Sequence, residues 1–130
     1  MSKLNTPKLS PEQTRDEILA SLEDNKGQSI ECLDVTGLTS IADYMVVVSG
    51  TSSRHVKALA SHVASDLRDL GVHVKGIEGE QEGEWILLDF GDSLVHVMQH
   101  TTREFYDLES LWQSGFRQAE ELRSKENVES

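Results

Sequence analysis

Five histidines, one cysteine and a run of glutamates are the first residues of this 130-residue chain whose types could do chemistry. A metal would need two or more of them converging within bonding distance. His96 and His100 lie in or just past a β-patterned stretch, where four positions span roughly 13 Å, too far for one ion. His55 and His62 lie seven apart on a helical pattern, about 10.5 Å along its axis, which also fails. They read as solvated helix histidines, with His62 placed to pair with Asp66 one turn on. No metal is expected. Glu78, Glu80, Glu82 and Glu84 alternate with glycines in a segment that reads as a mobile, solvated loop, with no preorganised cage for a cation. Such a loop suits contact with a basic partner. Cys32 has no evident base beside it and reads as a small buried residue.

The turn Gly50-Thr51-Ser52-Ser53 follows an apolar strand and opens a helix, the backbone arrangement that binds anions. It resembles the Gly-Ser turn of nucleotidyltransferases. Those enzymes carry acidic metal ligands on a strand soon after that helix, whereas here the segment VHVKGI holds Lys75 and no carboxylate. Asp89 and Asp92 flank a hairpin turn at odd spacing, on opposite sides of the ladder. A Walker lysine and a GxGxxG are both absent. The plainer role of the turn is a glycine with a serine cap. The residues thus assemble no catalytic set and imply no cofactor. The alternative is a nucleotidyltransferase-like, nucleotide-binding enzyme using Gly50 to Ser53.

The elements that would position these residues are legible in order. Residues 1–10 read as a disordered lead-in. Ser10, Pro11 and Gln13 form a capping box with proline at the first helical position, and Ile18, Leu19 and Leu22 stripe a helix ending near Asn25-Lys26-Gly27. Ser29 to Val35 reads as a strand. Tyr44 to Ser49, YMVVVS, is a β-branched run suited to a strand buried on both faces. A helix capped by Ser52 or Ser53 follows, with Val56, Leu59, Ala60, Val63, Leu67 and Leu70 on one stripe and a stop at Gly71. Val72 to Ile77 completes a strand–helix–strand unit. Trp85 to Phe90 and Ser93 to Met98 form a hairpin about Gly91-Asp92. REFYDLESLW opens a final helix, whose stripe continues through Leu108, Leu111, Trp112, Phe116, Ala119 and Leu122.

A turn at Gly91-Asp92 fixes which hairpin residues share a face. Ile86, Leu88, Phe90, Val95 and Val97 make one apolar face, a natural core. Trp85, Leu87, Asp89, Leu94, His96 and Met98 make the other. That face is also largely apolar, yet it holds groups a dry core rarely takes unpaired. With only about three helices, one sheet face risks being left uncovered, and a bare apolar patch centred on a tryptophan marks a protein interface. Coverage of that face by the C-terminal helix would instead make Trp85 ordinary core.

Bulk properties fit one domain. No apolar run approaches the ~18 residues of a membrane helix, the N-terminus has no signal-peptide pattern, and a single cysteine forms no intrachain disulfide. A cytoplasmic protein is expected. The net charge is −11, and residues 29–98 hold eleven acids against four bases. Such a body repels nucleic acid and favours a protein partner, particularly a basic one.

Three stretches together, SIADYMVVVSGTSSRHVKALASHV (40–63), GIEGEQEGEWILLDFGDSLVHVMQ (76–99) and REFYDLESLW (103–112), resemble the ribosomal silencing factor (RsfS) family, which includes the iojap proteins of organelles. The resemblance runs from about Ser29 to Trp112. It implies a single α/β domain over residues 11–112, with a mixed five-stranded sheet, flanking helices and a nucleotidyltransferase-like fold lacking catalytic carboxylates. Residues 113–130 would be a helical extension and tail outside the shared part. The resemblance also implies a homodimer and binding to the universal large-subunit ribosomal protein number fourteen. Occupying that protein blocks joining of the small and large subunits and represses translation; a role in large-subunit assembly would use the same surface. The interface residues it implies are Trp85 and Tyr106, and the hairpin register adds Leu87, His96 and Met98.

Overall fold

In the computed structural model, residues 9–108 and residue 110 are described. Most of the expected lead-in, and all of the expected extension at 113–130, lie outside them. The elements are α1 (Pro11–Asp24), β1 (Gln28–Asp34), β2 (Tyr44–Gly50), α2 (Ser53–Asp69), β3 (Gly76–Glu78), β4 (Trp85–Asp89), β5 (Ser93–Gln99) and α3 (His100–Tyr106). They form the α/β domain with a five-stranded mixed sheet that the sequence implies, in the order β1-β2-β5-β4-β3.

Local chemistry sets the helix starts. Ser10 Oγ accepts from the Gln13 amide at 3.1 Å while the Gln13 side chain accepts from the Ser10 amide at 2.9 Å. This reciprocal cap is worth about 1 kcal/mol. Ser52 caps α2 with its side chain alone, accepting from the His55 amide. Leu70 ends α2, and Gly71 follows in the left-handed region at φ 87°.

The hairpin register is the expected one: Trp85 faces Met98, Leu87 faces His96 and Asp89 faces Leu94. β2 runs parallel to β5 and is buried at every position. The strand–helix–strand unit is present with a modification. β2 and β3 run the same way, but β5 and β4 lie between them. The last strand of that unit is also shorter than expected. Only Gly76–Glu78 pairs, because Asp89, opposite Gly76, is the last residue of β4 and the hairpin turn lies beyond it. Val72 and Val74 still pack on the core without joining the ladder.

Two clusters divide the core by sheet face. Val46, Val48, Ile86, Leu88, Val95 and Val97 meet Ile18 and Leu22 of α1 and Val56, Leu59, Val63 and Leu67 of α2. Both long helices therefore cover one face, and Ser21 Oγ of α1 donates to the Asp66 carboxylate of α2 at 2.6 Å. The opposite face buries Val35, Met45, Val47 and Met98, with Leu33, Leu38, Trp85, Leu94 and Leu108 partly covering them. Among the described residues the cover here is a loop at one end and the short α3 at the other. The final helix begins three residues before Arg103 and breaks at Asp107, which takes φ 46°. Leu108 and Ser110 are helical again, and the rest of the expected stripe lies outside the described residues.

Candidate functional site

The thinly covered face carries the expected site residues, unevenly exposed. Trp85 and Leu87 are half-buried on β4. Tyr106, at the end of α3, is 53% exposed. Its ring meets the Trp85 indole with centroids 4.8 Å apart and planes tilted by 50°. α3 is held in place by Arg103, a buried side chain whose Nη1 donates to Ser49 Oγ of β2 at 2.9 Å. Trp85 Nε1–H donates to His96 Nδ1 at 2.9 Å, across the β4–β5 ladder. Their rings lie 5.8 Å apart.

Two of the expected contact residues do not face outward. Met98 is fully buried, and His96 is 7% exposed. The hairpin register places both on the expected face, but α3, the Trp85 ring and the sheet neighbours roof them over. They form the floor beneath Trp85, so a direct partner contact from Met98 is excluded in this conformation. Burial pushes the His96 pKa down from 6.5 to about 4, which keeps the ring neutral. Phe105, absent from the expected set, is 81% exposed and packs edge-on against Tyr106 at 5.0 Å. Its signal was the adjacency Phe105-Tyr106, since neighbouring helix residues point different ways and cannot share one buried stripe.

The other chemistry-bearing residues do not assemble a centre. At the Gly50–Ser53 turn the Thr51 amide and the His55 and Val56 amides of α2 are used internally. The Thr51 amide donates to His55 Nδ1 at 2.9 Å, the His55 amide to Ser52 Oγ at 3.1 Å and the Val56 amide to the Ser52 carbonyl at 2.9 Å. Gly50 is required there by close packing, because a Cβ would sit 2.8 Å from Val56 Cγ2. His55 is thus a latch and no solvated surface residue: its Nε2 also reaches the Asn25 carbonyl at 3.2 Å. The Asp66 carboxylate is engaged by Ser21, and His62 stays exposed. Among the described residues no three His, Cys, Asp or Glu side chains converge as metal ligands.

The glutamate-rich connection is more ordered than expected. Gly79 and Gly83 take φ 86° and 69°, Gly83 is buried, and Gln99 ties to the Gly83 carbonyl at 3.0 Å. Cys32 is exposed, correcting the buried assignment, because β1 is an edge strand with no neighbour on its outer side. No helix among the described residues is long and apolar enough to cross a membrane.

Known proteins resemble this chain over the same elements. The family described as "Ribosomal silencing factor during starvation" matches residues 8–130, so the similarity extends past Trp112, through the segment expected to lie outside the shared part. A "Ribosomal silencing factor RsfS" of Chromobacterium violaceum is 48% identical over 94 residues, covering 72% of this chain and 77% of that one. The mouse "Mitochondrial assembly of ribosomal large subunit protein 1" is 34% identical over 101 residues, 75% of this chain but 44% of its own length. A crystal structure of a Chromobacterium violaceum protein superposes with a TM-score of 0.79 at 43% identity, covering 81% of this chain and 88% of that one. With a family match across nearly its whole length and a 48%-identical relative that carries the family's name, this chain belongs to the ribosomal silencing factor family.

Proposed function

We propose that this protein docks through the Trp85–Tyr106 surface onto the universal large-subunit ribosomal protein number fourteen, and so keeps the small subunit from joining. The observation that carries this is a partly exposed tryptophan stacked on an exposed tyrosine, on the sheet face that neither α1 nor α2 covers, in a family of ribosomal silencing factors. Rigid aromatic anchors in such settings supply much of an interface's binding energy. The net charge of −11 favours a basic partner surface. Leu87 adds apolar contact area beside Trp85, while His96 and Met98 support the indole from below.

Silencing then needs no chemistry. A protein that binds only free large subunits pulls the joining equilibrium apart by mass action. It acts in the cytoplasm, where translation occurs, and translation is repressed in proportion to its concentration over its dissociation constant. Family resemblance supports a homodimer, which sedimentation equilibrium of the purified chain tests directly.

The deciding experiment is a joining assay with cognate subunits. Added before the small subunit, the protein should block joining, and excess small subunit should relieve the block. It should co-sediment with free large subunits and be nearly absent from joined ribosomes. Equal co-sedimentation with joined ribosomes, or a block that no excess of small subunit relieves, would refute competitive exclusion.

A second reading, a role in large-subunit assembly, is favoured by the printed name of the mouse relative and uses the same surface. Depletion separates the two: precursor large subunits should accumulate only if assembly is the task. Against the nucleotide-binding alternative, the Thr51 and His55 amides at this turn are already engaged by His55 Nδ1 and Ser52 Oγ. A thermal shift on adding a nucleoside triphosphate with a divalent ion would revive it.

A further inference from the structure

We propose that His96 is a positioning residue: it sets the docking surface by accepting the Trp85 indole N–H and does not itself touch the partner, a role that rests on Trp85 being the docking anchor. The imidazole lies between Val47 of β2 and Leu87 of β4 in the sheet and is 7% exposed. A purely structural residue at that place would be apolar, like its neighbours. The histidine is instead costly. Its Nδ1 accepts from Trp85, so in the neutral ring the proton must sit on Nε2. Nε2 is buried and has no hydrogen-bond partner among the described residues. An orphaned buried donor lowers stability, and leucine, of similar size, would carry no such penalty.

What the imidazole supplies in return is an acceptor for a partly exposed indole. Trp85 is otherwise held on this face by the tilted stack with Tyr106 at 4.8 Å. A stack of that kind restrains the ring's position but tolerates a flip about its side-chain torsion, which is broad and roughly two-fold. The bond to His96 selects one of the two orientations and fixes which edge of the indole faces the solvent. A partner then meets an ordered ring and loses less entropy on binding. Because burial keeps His96 neutral across physiological pH, the acceptor is always available.

The test uses the full chain and cognate large subunits, with His96→Leu, His96→Asn and Trp85→Ala. In the wild-type protein, nitrogen NMR should show His96 as the Nε2–H tautomer, and the Trp85 indole proton should carry a hydrogen-bonded shift. His96→Leu should melt at the same temperature or higher, lose that indole shift, and bind large subunits about three- to ten-fold more weakly, the effect of one neutral hydrogen bond. His96→Asn, which offers an amide oxygen near the Nδ1 position, should recover part of the shift and part of the binding.

Wild-type binding by His96→Leu alongside weakened binding by Trp85→Ala overturns the positioning role and leaves the docking surface standing. Undiminished binding by Trp85→Ala overturns both. A His96→Leu chain that melts earlier and binds less shows a merely structural histidine. The Nδ1–H tautomer in the wild-type protein overturns the proposal whatever the variants do.

Discussion

Gly79 and Gly71 offer a controlled measurement of how tightly the site is built. Both sit at nearly the same backbone angle, φ 86° and 87°, where a side chain costs about 1–2 kcal/mol. They differ in surroundings. A Cβ on Gly71 meets nothing within 4 Å, whereas one on Gly79 falls far inside contact distance of the Trp85 carbonyl oxygen and 3.1 Å from its carbonyl carbon. That neighbour is backbone at the start of β4 and cannot rotate away. Overpacking adds about 1–3 kcal/mol. Gly71→Ala should therefore cost about 1–2 kcal/mol and Gly79→Ala about 2–5 kcal/mol.

Urea unfolding of both variants reads the difference, with unchanged m confirming that only stability moved. By heat, the gap corresponds to about 3–6 °C per kcal/mol for a domain between the small and mid-size classes. Gly79→Ala should also shift the Trp85 indole resonance, and Gly71→Ala should leave it alone. Losses within about 0.5 kcal/mol of each other, the usual noise of such comparisons, would mean that the Gly79 turn yields freely and does not hold Trp85 in place.

Trp85→Ala should weaken large-subunit binding by about 2 kcal/mol or more. Its ring is only partly buried, so the stability loss should fall below the ~3–5 kcal/mol of a fully buried tryptophan; a loss at the full value would make it a core residue. His96 gives a pH signature. Its folded pKa of about 4 lies below the unfolded 6.5, so below pH 6.5 the unfolded chain takes up a proton that the folded chain refuses. Stability is fully present above pH 6.5 and falls by about 3 kcal/mol as pH drops toward 4; the difference in unfolding free energy between wild type and His96→Leu, followed by pH, should show that slope, and a flat difference would place His96 in water. A chain ending at Trp112 should remain folded and still bind large subunits. Lost binding with intact circular dichroism would put part of the interface in the tail.

Determined by sequence alone were the features whose causes are local. The Ser10–Gln13 box, the Ser52 cap and the Gly71 stop act within a few residues of themselves. The Gly91-Asp92 turn sets a register that puts Ile86, Leu88, Val95 and Val97 on a common core face. The same hairpin drew attention to Trp85, whereas Tyr106 entered only through the family resemblance. What the tertiary structure decided was coverage, because burial depends on which elements meet across space. Among the described residues, α1 and α2 went to one face, leaving the other to a loop and to α3, which Arg103 pins to Ser49. That arrangement buried His96 and Met98, half-buried Trp85 and left Phe105 outside. Edge position exposed Cys32, and the end of β4 cut β3 short. The Trp85–His96 bond joins residues eleven apart whose contact exists only once the ladder has formed and the ring has settled against Tyr106. Alternation in a sequence says which residues share a face; only the packed neighbours determine how much of that face remains open to water.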